Sequence, residues 1–184
     1  MKKNIIFSIT VFILAVILAS CGSPKPGLKG EKEIIQPCVG EDYSTGNGFV
    51  RATASVLDGD MSMAKKRATS AARAEVATQM GAMIKRVTDD YSKAINENSD
   101  QRFEDRALTV VKQQLGTTKI ICDKLMRTPD GKFRAYICVE YDLKDALQSI
   151  GDKIKNDQEL RMDFQYEKFK KVFEDEMKQM GQQK

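Results

Sequence analysis

Two hydrophobic periods succeed one another along this chain. After the turn cluster Thr45, Gly46, Asn47, Gly48, the residues Val50, Ala52, Ala54 and Val56 fall on one side of an extended backbone, with Arg51, Thr53, Ser55 and Leu57 on the other. That period of two predicts a half-buried β-strand. Asp58, Gly59 and Asp60 stop it, and Asp60 or Ser62 is placed to cap a helix. From about Met63 to Ile95, Ala64, Ala68, Ala72, Val76, Met80, Ile84, Val87, Tyr91 and Ala94 recur at steps of three and four, one stripe of a long helix. The first half of the stripe is nearly all alanine, so this helix is predicted to lie close to a sheet, against the small Ala52 and Ala54.

A shorter helix is predicted from Gln101 to Leu115, capped by Ser99 or Asp100, buried through Phe103, Ala107, Val110 and Val111, and ended by Gly116. The period of two then returns over Lys119 to Arg127 and Lys132 to Tyr141. Between them Thr128, Pro129, Asp130, Gly131 predicts a type I turn closing a bulged hairpin, since proline presets φ and glycine accepts the left-handed position. The elements add up to an α+β fold: a strand, helix, strand, strand unit with the long helix packed on an antiparallel sheet, followed by a long C-terminal helix.

In that last segment, 143–184, the steps of three and four run through Leu143, Leu147, Ile150, Ile154, Met162, Tyr166, Phe169, Phe173, Met177 and Met180, interrupted only by Gln158. Charges of both signs fill the opposite face, unlike the basic helices that lie on anionic membranes. A single helix of that length would reach about 60 Å, more than one small domain covers. Its first half is therefore divided between the chain's own sheet and a partner. Tyr166, Phe169, Phe173 and Met177 in the second half are expected to contact a protein partner or a second copy of the chain.

The first twenty residues carry a different signal. Lys2 and Lys3 precede an apolar run from Ile5 to Ala19, and the stretch ends Leu18, Ala19, Ser20, Cys21. The run is shorter than the roughly 20 residues a membrane span needs. It resembles a bacterial lipobox, in which small residues before the cut fit the protease and the cysteine thiol carries the lipid. The resemblance implies a signal peptide over 1–20, lipidation of Cys21, and membrane attachment through that lipid. Gly22, Ser23, Pro24, Lys25, Pro26 and Gly27 then read as a flexible tether over 21–36, with the folded domain from residue 37 to 142.

Composition narrows the chemistry. The 184 residues are 41% hydrophobic and 30% charged, an ordinary globular balance. They include no His and no Trp, which excludes a histidine general base, a Ser/His/Asp triad and a His-ligated zinc site. Lys2 and Lys3 supply two of the formal +4 charges, and Lys65, Arg67, Arg73 and Lys85 are interspersed with Glu75, Asp89 and Asp90, so a solvated helix face is expected and no nucleic-acid contact. Cys38, Cys122 and Cys138 lack metal-ligand spacing. Asp89 and Asp90 diverge by about 100° on a helix, and Gly46, Asn47, Gly48 lacks a phosphate-loop lysine. The expectation is a protein that is not an enzyme and uses no metal or cofactor.

Several stretches carry a family resemblance: FVRA at Phe49–Ala52, AKKRATSAARAEVA at Ala64–Ala77, RVTDDY at Arg86–Tyr91 and DGKFRAY at Asp130–Tyr136. In order and spacing they resemble the LPP20 family of bacterial lipoproteins, as found in Bacteroidetes-type genomes, over roughly Pro37 to Asp142. The resemblance implies a lipid-anchored cell-envelope protein, outer-membrane attached and acting as a structural or assembly module through protein contacts. The alternative is a periplasmic carrier that holds a small apolar ligand or lipid between helix and sheet. Three cysteines beyond Cys21 allow three single pairings. The hairpin register sets Cys122 opposite Cys138, but on a hydrogen-bonded pair, where side chains diverge more. Pro37, Cys38 and Cys122 sit at places that resemble the family pattern and Cys138 does not, so the expected disulfide is Cys38 with Cys122.

Overall fold

The computed structural model describes residues 34–95, 101–160 and 163–182. Cys21, the expected signal segment and the tether up to residue 33 lie outside them, as do Ser99 and Asp100, the expected caps of the second helix. Gln36–Lys184 forms one compact unit. Its elements are β1 (Phe49–Asp58), α1 (Met61–Ala94), α2 (Gln101–Gln114), β2 (Lys119–Arg127), β3 (Phe133–Asp142), α3 (Leu143–Lys155) and α4 (Tyr166–Gln182), an α+β fold.

The three strands form one antiparallel sheet in the order β1, β3, β2. The β2–β3 hairpin closes as its turn residues require. The Thr128 N–H donates to the Lys132 carbonyl and the Gly131 N–H to the Thr128 carbonyl, both at 2.9 Å, while Gly131 takes a φ of 84° that a side chain would resist. In register, Val50 faces Tyr141, Ala52 faces Val139, Ala54 faces Ile137 and Val56 faces Ala135. These residues make the face against which α1 packs.

Asp60 caps α1 by accepting from the Met63 N–H at 2.8 Å. The helix has 34 residues and so runs about 50 Å, against about 33 Å for a ten-residue strand. Its two halves therefore do different work. Ala64, Ala68 and Ala72 are fully buried and let the helix axis approach the sheet. Met80, Met83, Ile84, Val87 and Tyr91 continue the buried stripe where the packing is against helices instead. There the Tyr91 ring lies 5.4 Å from Phe103 of α2 and 5.9 Å from Phe169 of α4.

A long helix does close the chain, but 143–184 is not one helix. It breaks at Asn156 to Glu159, where polar side chains compete for the backbone. The Asn156 amide donates to the Asp152 carbonyl at 2.8 Å, and Asp157 accepts from the N–H groups of Glu159 and Leu160. Arg106 of α2 pins Asp157 at 2.8 Å. The break lets α4 fold onto α1, which removes the length argument for a partner.

Candidate functional site

The face of the sheet turned away from α1 carries the features that fold alone does not require. Arg51, Thr53, Ser55 and Leu57 of β1 alternate outward here, opposite Glu140, Cys138, Tyr136 and Arg134 of β3, with Cys122, Lys124 and Met126 of β2 on the far side. The segment before β1 crosses this face. A short 3-10 turn, Glu41–Tyr43, lifts it over the strands. Thr45 then ties it to the edge of β1, accepting from the Arg51 N–H at 3.0 Å while its hydroxyl donates to the Arg51 carbonyl at 3.1 Å.

Cys38 joins Cys122 in a disulfide that spans 84 positions of sequence. The Thr53 hydroxyl adds a second clasp, donating to the Cys38 carbonyl at 2.6 Å. Cys38 itself has φ 61°, a left-handed backbone that side chains adopt at a cost. Beside this bond sits Cys138, a free and fully buried thiol directly across from Cys122 in the β2–β3 register. The three cysteines form a small cluster of their own, separate from the main core, with Tyr43, Ile121 and Tyr136 packed around it. Burial pushes the Cys138 thiol above its ordinary range, against the smaller opposing pulls of the Thr53 hydroxyl and the Arg51 guanidinium, while Glu140 adds to the rise.

Next to the cluster, Arg51 and Glu140 pair across the two strands, from Nε at 2.8 Å and Nη2 at 2.6 Å, with both side chains largely buried. Arg51 also donates to the Ser44 carbonyl at 3.2 Å, so the ion pair fastens the crossing segment as well. The period of two places Arg51 on the polar face, but nothing local announces a partner 89 residues away.

The aromatic stripe expected to face a partner does not do so. Phe169 and Phe173 are both 0% exposed within the chain's own core, and Tyr166 and Met177 pack partly buried against it. Phe169 lies between Tyr91, Phe103, Phe164 and Phe173, at ring separations of 5.4 to 5.9 Å. The physical reason is the break after α3, since a helix of 17 residues finds enough apolar surface on α1 and α2. Among the described residues, no group of three or more Cys, Asp or Glu side chains is placed to hold a metal ion. Compared with protein-family models, with curated proteins and with solved structures, the chain finds no match in any of the three.

Proposed function

We propose that the chain is a lipid-anchored cell-envelope protein, attached to the outer membrane through Cys21, whose α+β unit acts as a structural or assembly module by protein contact. The observation that carries this reading is the N-terminal sequence itself: two lysines, an apolar run from Ile5 to Ala19, and Leu18, Ala19, Ser20 directly before Cys21. The LPP20-like segments from Phe49 to Tyr136 support the same assignment. The carrier alternative has less to draw on, because the layer between α1 and the sheet is occupied by the buried Ala52, Ala64, Ala68, Ala72 and Ile137. With Phe169 and Phe173 committed to the core, a partner contact falls to other surface. Leu57 and Met126, 38% and 48% exposed, flank Arg134 on the outward face of the sheet and supply apolar area there.

Metabolic labelling with an alkyne fatty acid tests the anchor. The wild-type chain should take up label and fractionate with membranes, and Cys21→Ser should do neither. Acyl label retained by the Cys21→Ser chain would overturn the assignment. A photo-crosslinking side chain at Met126 tests the contact: a discrete adduct with an envelope protein supports assembly, and its absence at Met126 together with Leu57 counts against it.

A further inference from the structure

We propose that the cysteine cluster is a thiol–disulfide switch, in which Cys138 exchanges with the Cys38–Cys122 bond and unclips the N-terminal segment from the sheet. In the step, the Cys138 thiolate attacks Cys122 Sγ. The Cys122–Cys138 bond forms as the Cys38–Cys122 bond breaks, and Cys38 leaves as a thiolate that takes up a proton. One disulfide and one thiol are present before and after, so no outside oxidant or reductant enters the balance.

Three observations carry the inference. The first is placement, since Cys138 is directly across from Cys122 on the neighbouring strand and the three cysteines share one cluster. The hairpin turn makes Thr128 and Lys132 a hydrogen-bonded pair, and counting back by twos makes Cys122 and Cys138 another. Their Cα atoms then lie about 5.5 Å apart, inside the range a disulfide spans, and because side chains diverge more at such a pair, closing the bond draws the two strands together locally. The second is the leaving side: the clipped Cys38 has a left-handed φ of 61°, which side chains adopt at a cost, and breaking its bond frees the backbone to leave it. The third is what the bond fastens. Without it, Cys38 is held to β1 by the Thr53 hydroxyl and to β3 by the contact of its Sγ with the Tyr136 carbonyl at 3.5 Å, and the next clasps are the Cys138 thiol on the Tyr43 carbonyl at 4.0 Å and Arg51 on the Ser44 carbonyl at 3.2 Å. The freed stretch is the one that leads from the N-terminal region into the fold, and Cys38 becomes an accessible thiol at its end.

The barrier to exchange is set by the thiolate fraction of Cys138. The charged and titratable groups around it are Arg51 of β1, Glu140 and Tyr136 of β3, and Tyr43 of the crossing segment. Exchange should therefore be slow near neutral pH and quicken about tenfold for each pH unit of added alkalinity until the thiol has titrated.

Peptide mapping of the full chain reads the switch directly. Trypsin places Cys38 on peptide 33–51, Cys122 on 120–124 and Cys138 on 135–144, with Cys21 on another. The chain is incubated without reductant at about pH 7 and about pH 9, quenched in acid, alkylated and digested. The expected result is peptide 120–124 linked to 135–144, with Cys38 alkylated, accumulating about a hundredfold faster at the higher pH. It should do so at a rate independent of protein concentration. Recovery of the 33–51 to 120–124 link alone, a 33–51 to 135–144 link, or a rate that scales with concentration would each overturn the proposal. A second variant tests the geometry by itself. Cys38→Ser, with its fold checked by circular dichroism and exposed to oxidised glutathione, should form the Cys122–Cys138 bond. If both thiols of that folded variant stay alkylatable, the two cysteines do not reach each other and the switch is wrong.

Discussion

Arg86 of α1 donates from Nε to Glu176 of α4 at 2.7 Å, and the Glu176 side chain is only 5% exposed while that of Arg86 is 45% exposed. A carboxylate thus lies inside the helical interface, one turn beyond Phe173, with its charge answered from the rim. The pair fixes α4 against α1 at the point where the aromatic cluster ends.

Removing one member leaves the other stranded. Arg86→Ala should destabilise the fold by about 2 kcal/mol, less than the loss of about 3 to 5 kcal/mol for a fully buried pair because the guanidinium is half in water. The double variant Arg86→Ala with Glu176→Leu should regain most of that loss, since no charge is then buried alone. Urea unfolding of the three proteins measures both numbers. A double variant no more stable than Arg86→Ala would show that the pair's charge is not what the site must satisfy.

Phe169 and Phe173 decide between a core and an interface. Phe169→Ala should cost about 3 to 5 kcal/mol, the usual loss when a fully buried ring is truncated to a methyl group. Phe169→Glu combined with Phe173→Glu should prevent folding altogether, as two carboxylates enter a cluster of rings. Thermal unfolding followed by circular dichroism reads the outcome. A double-Glu chain that melts like the wild type would return α4 to the role of a partner-binding helix.

What the sequence disclosed and what it withheld divide along range. The alternation of β1, the Asp60 cap and the 128–131 turn all depend on neighbours a few residues away, and each is present where the residues place it. The register that sets Cys122 opposite Cys138 follows from the same turn. The stripe over 143–184 identified Leu143, Leu147, Ile150, Ile154, Phe169 and Phe173 as buried, with Tyr166, Met177 and Met180 partly so and Met162 outside the described residues, but periodicity carries no information on which chain buries them. Helix length points to a partner only where the helix is unbroken, and Asn156 and Asp157 end this one by side-chain hydrogen bonds. Glu176 is buried although it is off the stripe as read, and its spacing, three residues after Phe173 and four before Met180, is a local hint that it lies beside the apolar face. The pairings of Arg51 with Glu140 and Arg86 with Glu176 join residues about ninety positions apart, and only the assembled fold selects them.

Gly151 in the middle of α3 makes room for a ring. A Cβ there would sit 2.6 Å from Cε2 of Tyr166, the residue that opens α4, and Lys155 rests its ammonium 3.6 Å above the same ring. In a helix interior, alanine is worth about 1 kcal/mol over glycine. Gly151→Ala should therefore stabilise a Tyr166→Ala chain by about that amount and bring no gain, or a loss, in the wild-type background. The comparison of the two increments by chemical denaturation is the measurement, and equal increments would mean that ring and helix do not meet.

Tyr141 couples the fold to alkaline pH. Its phenol donates to Gln114 Oε1 at 2.7 Å, and burial, with smaller contributions from Asp145 and Asp142, pushes its pKa up to about 12 from an ordinary 10.0. The sign follows from which state holds the proton. Between those two values the unfolded chain has released it and the native chain has not, so native stability falls as pH rises through the window and is undiminished below it. At about pH 11.5 the loss from this one group should be about 2 kcal/mol. Tyr141→Phe forfeits the hydrogen bond at every pH but has no phenol to titrate. The stability gap between wild type and variant, measured by denaturant unfolding at about pH 9 and about pH 11.5, should therefore shift by about 2 kcal/mol in favour of the variant at the higher pH. A gap that stays constant would show that the Tyr141 phenol titrates alike in the folded and unfolded chains, and that the layer between β3 and α2 is open to water.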